Sequence, residues 1–299
     1  MKRLLNKIID KVINRLYQRL NGEFNRIEKI SSGEQTSQLI IKNQYRKLSK
    51  EEIKNYTFEE VGFRKYSQND EDGILLFIFS VIGTTNKTVV EICASDGIEC
   101  NAANLIINHG WNAFLFDANF KAINKGTSFY KSHPNTFTLP PKFVHAWVTR
   151  GNINNLFIEN EISGEVDLLS IDLDGVDYWI WEAIETIRPR LVVAEIQCIL
   201  GKDDSLTVPY ADNFSTKFVN GFGIYSGASL KAFIRLAERK GYRLIGVEKY
   251  GFNAFFLRND VGTEFFPAYD TQKYEDIPFV KWAREEFLDL VKDLEWEKV

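Results

Sequence analysis

Apolar and polar positions along this chain follow two periods, and the switches between them mark out its elements. A short apolar run, Val89-Val90-Glu91-Ile92, breaks at Ala94-Ser95-Asp96-Gly97. A helical period then runs from Asn101 to Asn108, turns at Gly110 and gives way to a second apolar run, Ala113 to Phe116, which stops at Asp117. That pattern predicts strand, turn, helix, strand. The apolar stretch Ile74 to Ile82 predicts a helix, and Phe143–Val148, Glu165–Ile171 and Leu191–Ile196 predict strands, with helices opening at Asn152-Ile153 and near Tyr178. A helix capped by Ser226 or Ser229 and ended by Gly241 precedes Arg243–Glu248, which Tyr250-Gly251-Phe252 joins to Asn253–Arg258. So short a link makes those two strands antiparallel. Strands alternating with helices place the chain in the α/β class.

The flanks read differently. Leu5, Ile9, Val12, Leu16, Leu20, Phe24, Ile27 and Ile30 recur at spacings of three and four, which predicts an amphipathic helix over residues 1–30. Its basic polar face fits a peripheral anchor on an anionic inner membrane face. Its heptad-like spacing fits pairing with a second copy or with the body of the protein. Ser49-Lys50-Glu51-Glu52 has the form of a capping box. The polar segment after Asp117, with His133-Pro134 and Pro140-Pro141, reads as an insertion. Residues 201–225 are too long for a plain connection, and Tyr210, Phe214, Phe218, Phe222 and Tyr225 favour an ordered lid. Phe279 to Leu294 predicts a C-terminal helix. The expected division is a helical extension over 1–60, a main domain over 61–262 and a helical segment over 263–299.

Composition narrows the classes. The chain has 299 residues, 44% hydrophobic and 14% aromatic, enough for a sizeable core. A net charge of −4 gives no global attraction to nucleic acid. The charge is uneven, with +5 on residues 1–30 and −9 on the rest. Cys93, Cys100 and Cys198 lack metal-ligand spacing and read as reduced thiols of a cytoplasmic protein. No apolar run approaches the roughly 20 residues of a membrane span.

Asp117 follows Gly97 by twenty positions, the interval at which nucleotide-binding folds set a carboxylate beside a ribose. A GxGxxG turn and basic residues for a pyrophosphate are missing, while Glu91 and Asp96 flank the turn. Acids there suit a cationic adenosyl ligand such as S-adenosylmethionine better than NAD. On the strand ending Asp172-Leu173-Asp174, residues two apart point the same way, so both carboxylates reach the carboxyl edge of the sheet. They could take a hydroxyl proton or hold a divalent ion such as Mg²⁺. The bland alternative is a turn whose Asp side chains bond their own backbone, with Asp177 capping the next helix. An EF-hand is excluded, because Gly175 is the fourth loop position and Ala183 stands where the last carboxylate belongs. Glu195, inside an apolar strand, must be paired or face a cleft. His109 reads as a helix end, His145 as a core residue, and His133 as part of the insertion.

These segments, together with Tyr66-Ser67-Gln68-Asn69-Asp70-Glu71-Asp72-Gly73, Glu99-Cys100-Asn101 and Asn253-Ala254-Phe255-Phe256, resemble class I S-adenosylmethionine-dependent methyltransferases, in particular the FkbM-like family. The resemblance spans most of residues 62–260. The chain departs from it at Cys93, where glycine is usual, and at Ser95, another position usually small. The resemblance implies a Rossmann-like, seven-stranded, mostly parallel sheet with a C-terminal antiparallel hairpin. It implies cofactor contacts by Gln68, Asp72, Glu91, Asp96, Gly97, Asn101, Asp117, Ala118, Trp147 and Val148. It further implies methyl transfer to the hydroxyl of a sugar or other small acceptor, with Asp172 or Asp174 taking the proton and Glu195 orienting the acceptor. Two rivals stand beside it: a metal-dependent enzyme using Asp172, Asp174 and Glu195, and a non-catalytic scaffold.

Overall fold

The computed structural model describes residues 33–299, so the helix expected over residues 1–30 lies outside the described residues. The described residues divide into two units, with the boundary after Lys47 and the second unit spanning residues 48–299. In the first, helix α1 spans Gly33–Tyr45.

The second unit opens with two short capped helices, α2 (Lys50–Asn55) and α3 (Phe58–Val61). Ser49 caps α2 as expected, accepting from Glu52 N while the Glu52 carboxylate accepts from Ser49 N. Thr57 and Glu60 repeat the device at α3. There follow α4 (Glu71–Ile82), β1 (Thr88–Ile92), α5 (Ala103–His109), β2 (Asn112–Asp117), α6 (Phe120–Ser132), β3 (Lys142–His145) and α7 (Ile153–Glu159). Then come β4 (Gly164–Ile171), α8 (Asp177–Ala183), β5 (Ile187–Glu195), a 3-10 turn (Cys198–Leu200) and three short strands, β6 (Leu206–Thr207), β7 (Lys217–Val219) and β8 (Phe222–Tyr225). The chain closes with α9 (Leu230–Lys240), β9 (Tyr242–Val247), β10 (Asn253–Arg258), α10 (Gln272–Glu275), α11 (Pro278–Val291) and β11 (Glu297–Lys298).

Seven strands form one sheet in the order β3-β2-β1-β4-β5-β10-β9. All neighbours pair in parallel except β10, which runs antiparallel to both β5 and β9. The expected mostly parallel sheet with its closing hairpin is therefore present. The central strands are buried on both faces, which is why they read as nearly continuous apolar runs. Val90, Ile92, Leu169, Ile171, Val192, Ala194 and Phe256 face a core completed by α7, α8 and α9, with Trp181 set among Phe233, Tyr242 and Phe256.

One expectation fails. The segment after Asp117 is no insertion: α6 is the ordinary crossover between β2 and β3. Only Ile123, Gly126 and Tyr130 of its thirteen residues are buried, a stripe too thin to register as a helical period. Asn119 caps it, accepting from Lys121 N and Ala122 N. The third strand ends at His145 instead of Val148, and β5 starts four residues before the expected Leu191. Within 201–225, β7 and β8 form a hairpin, while β6 pairs with β11. Among the described residues no helix is long and apolar enough to cross a membrane.

Candidate active site

The strand order reverses between β1 and β4, so the connections leaving these strands go to opposite faces and open a crevice at their carboxyl ends. The β1 exit forms one wall. Cys93 N and Ala94 N donate to Phe116 O at 2.8 and 3.0 Å, which ties this turn to the end of β2. Cys93, Ser95 and Gly97 adopt φ of 68°, 53° and 65°. That left-handed region costs a residue with a Cβ about 1–2 kcal/mol, the physical reason small residues and glycine suit Cys93 and Ser95. A Cβ on Gly97 would come within 2.7 Å of Leu115 Cδ1, so Gly97 packs under the turn. Helix α6 presses on the same turn: the Tyr130 hydroxyl donates to Gly97 O, and a Cβ on Gly126 would strike Asp96 O.

Several expected cofactor residues build this wall with their side chains. Glu91 is buried and accepts from Asn101 N at 2.9 Å and Ala102 N at 2.7 Å, holding the start of α5. Burial pushes its carboxyl up, and these N–H groups draw it back. Asn101 donates from Nδ2 to Ser170 Oγ. Asp96 is met by Lys125 Nζ at 2.5 Å; burial raises its carboxyl, but the ammonium and Ile98 N–H prevail and it lies below the usual range. Asp72 Oδ2 accepts from Lys65, Tyr66 and Ser67 N–H, and Ser67 Oγ accepts from Asp72 N, so Asp72 fixes the loop before α4. Gln68 is exposed on that loop.

Asp117, Ala118, Trp147 and Val148 line one cavity of about 100 Å³ with Ile92, Cys93, Phe116, Leu173 and Val176. Asp117 accepts from Ser95 N at 2.7 Å and Asn119 N at 2.6 Å, one bond on each carboxylate oxygen, and each oxygen keeps a lone pair. The roof is a strap from the 201–225 segment, Ala211, Asp212 and Phe214. Trp147 Nε1 donates to Asp212 O at 2.7 Å, Arg150 N donates to the Tyr210 hydroxyl, and the Thr216 hydroxyl donates to Asp174 O. Phe214 lies so close over Gly175 that a Cβ there would meet its ring at 2.5 Å.

Beside this cavity β4 and β5 deliver the acids. Carboxylate oxygens of Asp172, Asp174 and Glu195 lie within 4.8 Å of one another. Asp177 is fully buried beneath them and accepts from Leu173 N at 2.6 Å and Gly175 N at 3.0 Å, so it shapes the turn. Burial, then the charges of Asp177 and Asp174, push Asp172 up to about 8. Burial, then Asp172, pushes Glu195 well above the carboxylate range. Burial, then the charges of Asp117 and Asp172, pushes the Cys93 thiol up too, which disfavours the thiolate.

Sequence reasoning missed the strap's contacts, Leu173, Val176 and Phe214 in the cavity wall, and Asn253. The strap depends on pairings across dozens of residues, which periodicity does not reveal. Asn253 did leave a signal, a polar residue opening an otherwise apolar strand.

Fold and site together define a doubly wound α/β protein with a ligand crevice at its switch point. No family model matches the chain, and no curated protein does. Among solved structures it is similar to an S-adenosylmethionine-dependent methyltransferase from Clostridium acetobutylicum ATCC 824, at 12% identity over 58% of this chain and 84% of that one, TM-score 0.35. It is similar to precorrin-6y C5,15-methyltransferase from Geobacter metallireducens GS-15, at 11% identity over 66% and 93%, TM-score 0.39. It is similar to a SAM-dependent methyltransferase from Aquifex aeolicus, at 11% identity over 71% and 99%, TM-score 0.36. Likenesses this distant carry no statement about what this chain binds or does.

Proposed function

We propose that this protein is an S-adenosylmethionine-dependent methyltransferase of the FkbM-like kind, acting on a hydroxyl of a saccharide or small metabolite. The observation that carries the reading is Asp117, whose carboxylate borders an apolar cavity at the switch point with lone pairs left for two ribose hydroxyls. Phe116, Val148 and Trp147 offer the flat apolar walls an adenine needs. The acids of β4 and β5 suit a ligand bearing an ammonium and a sulfonium. The residues present therefore fit the group, with one condition. A cavity of about 100 Å³ is below the roughly 300 Å³ of ordinary ligand pockets, so the strap Ala211–Phe214 must shift outward on binding.

When bound, S-adenosylmethionine supplies a methyl group already activated by its sulfonium. The chain's own work is alignment and proton removal. Asp172 or Asp174 would accept the proton of the acceptor's hydroxyl. A carboxylate raised by burial is a stronger base than an exposed one, provided the pH keeps it ionised. Glu195 orients the acceptor.

Calorimetry with S-adenosylhomocysteine tests the reading. Wild-type protein is expected to bind it, and Asp117→Ala to bind at least about tenfold more weakly, since a charge-assisted pair of hydrogen bonds is lost. Absence of binding at millimolar ligand overturns the proposal.

A further inference from the structure

We infer that Asp172, Asp174 and Glu195, together with the side-chain oxygen of Asn253, form a binding site for one hard divalent cation of the Mg²⁺, Mn²⁺ or Ca²⁺ kind. Three independent features of the fold converge on it.

The first is the cluster itself. Its three carboxylate oxygens fall within 4.8 Å of one another, and among the described residues none of the three carboxylates forms an ion pair. Ligands facing each other across Mg²⁺ stand about 4.2 Å apart, and across Ca²⁺ about 4.6–5.2 Å, so the cluster has the span of a single ion.

The second is Asn253. It opens β10 directly opposite Glu195 in the antiparallel β5–β10 pair. Directly opposed residues leave the sheet on the same face with Cβ atoms about 4.5–5.5 Å apart, which sets the Asn253 side chain beside that of Glu195. Its Nδ2 donates to Glu71 Oε1 at 2.8 Å, fixing the amide so that Oδ1 is the atom left over. Asn253 is 6% exposed, and Oδ1 is buried with no hydrogen-bond partner. Buried acceptors almost always have a partner, and an orphaned one opposite the Glu195 carboxylate calls for a donor or a cation.

The third is the donor set. The three clustered groups are all carboxylates, with no sulfur or imidazole among them, and the Asn253 amide would add a fourth oxygen. Such sets select Mg²⁺, Mn²⁺ or Ca²⁺ over Zn²⁺ or Cu²⁺. Asp177 is not among the converging carboxylates, and its oxygens accept from Leu173 N and Gly175 N. It keeps the Asp172–Asp174 turn in shape.

Binding of the ion does not depend on the methyl-donor reading. Only its role rests on that reading: an ion here would hold the acceptor's oxygen beside the cavity and lower the hydroxyl pKa.

The test is a Mn²⁺ titration of the full chain, chelated and desalted, followed by electron paramagnetic resonance. Wild type is expected to take up one ion. Asp172→Asn and Glu195→Gln should abolish uptake at micromolar Mn²⁺, and Asn253→Ala should weaken it about tenfold. Asn253→Asp, which restores an oxygen ligand, should bind at least as tightly as wild type and guards against a fold defect in the alanine variant. Absence of bound Mn²⁺ at millimolar concentration overturns the site, and wild-type affinity in Asn253→Ala overturns the place given to Asn253. Calorimetry with S-adenosylhomocysteine on the same metal-free sample separates the two proposals. Nucleoside binding without Mn²⁺ uptake sinks this inference alone, and Mn²⁺ uptake without nucleoside binding sinks the methyl-donor reading alone.

Discussion

Cys93 shows what one side chain reveals and hides. It stands where the resemblance leads one to expect glycine, and its φ of 68° is the left-handed backbone that favours glycine. Cys93→Gly should therefore stabilise the fold by about 1 kcal/mol in chemical denaturation, and Cys93→Val should destabilise it by at least as much. Glu91 teaches the opposite lesson. An acid next to a ligand turn reads as a ligand contact, yet both its oxygens hold backbone N–H groups of the next helix. Glu91→Gln leaves one of those donors without an anionic partner, and a loss of about 2 kcal/mol is expected in the same measurement. A carboxylate's residue type is legible in a sequence; which N–H groups it meets is not, because that depends on how the turn after the strand closes.

Among elements, the strands were the most legible, since burial on both faces writes a dense apolar run. Helix α6 was lost because a crossover exposed along most of its length needs only a narrow apolar stripe. The 201–225 segment was legible as ordered from its aromatic rings, and Phe214, Phe222 and Tyr225 do pack, while Phe218 stays exposed. Its fastening to Trp147 and Arg150 was not legible. The strap crosses the cavity on hydrogen bonds from Trp147, Arg150 and Thr216, so its local opening depends on them. Trp147→Phe removes the indole N–H that holds Asp212 O and is expected to speed amide exchange over residues 210–216 severalfold. Unchanged exchange there would show that the strap is held by packing alone.

At the scale of the 48–299 unit, buried acids along the carboxyl edge of the sheet set its response to pH. Besides Asp172, burial pushes Glu248 up to about 7, although Tyr250 N and Phe252 N both donate to it. A carboxyl whose folded pKa exceeds its unfolded one binds a proton more tightly in the native state. Its contribution is fully present below about pH 4 and is lost as pH rises through about 7 to 8. Metal-free protein should thus melt at a temperature on the order of 5 °C lower at pH 8 than at pH 5. Glu195→Gln should flatten that slope, as differential scanning calorimetry would record. An upward slope over the same interval would mean that the acids are compensated by charges elsewhere.

The placement of β10 also bears on how the chain is made. Strand β9 has no neighbour in the sheet except β10, and β10 is synthesised after it yet slots between β9 and β5. A nascent chain that has emerged only as far as residue 250 therefore carries an open flank on β5 and an unpaired β9. Both invite association with other chains until translation delivers the last strand. Ribosome-bound intermediates halted in that interval should be the ones that recruit chaperones.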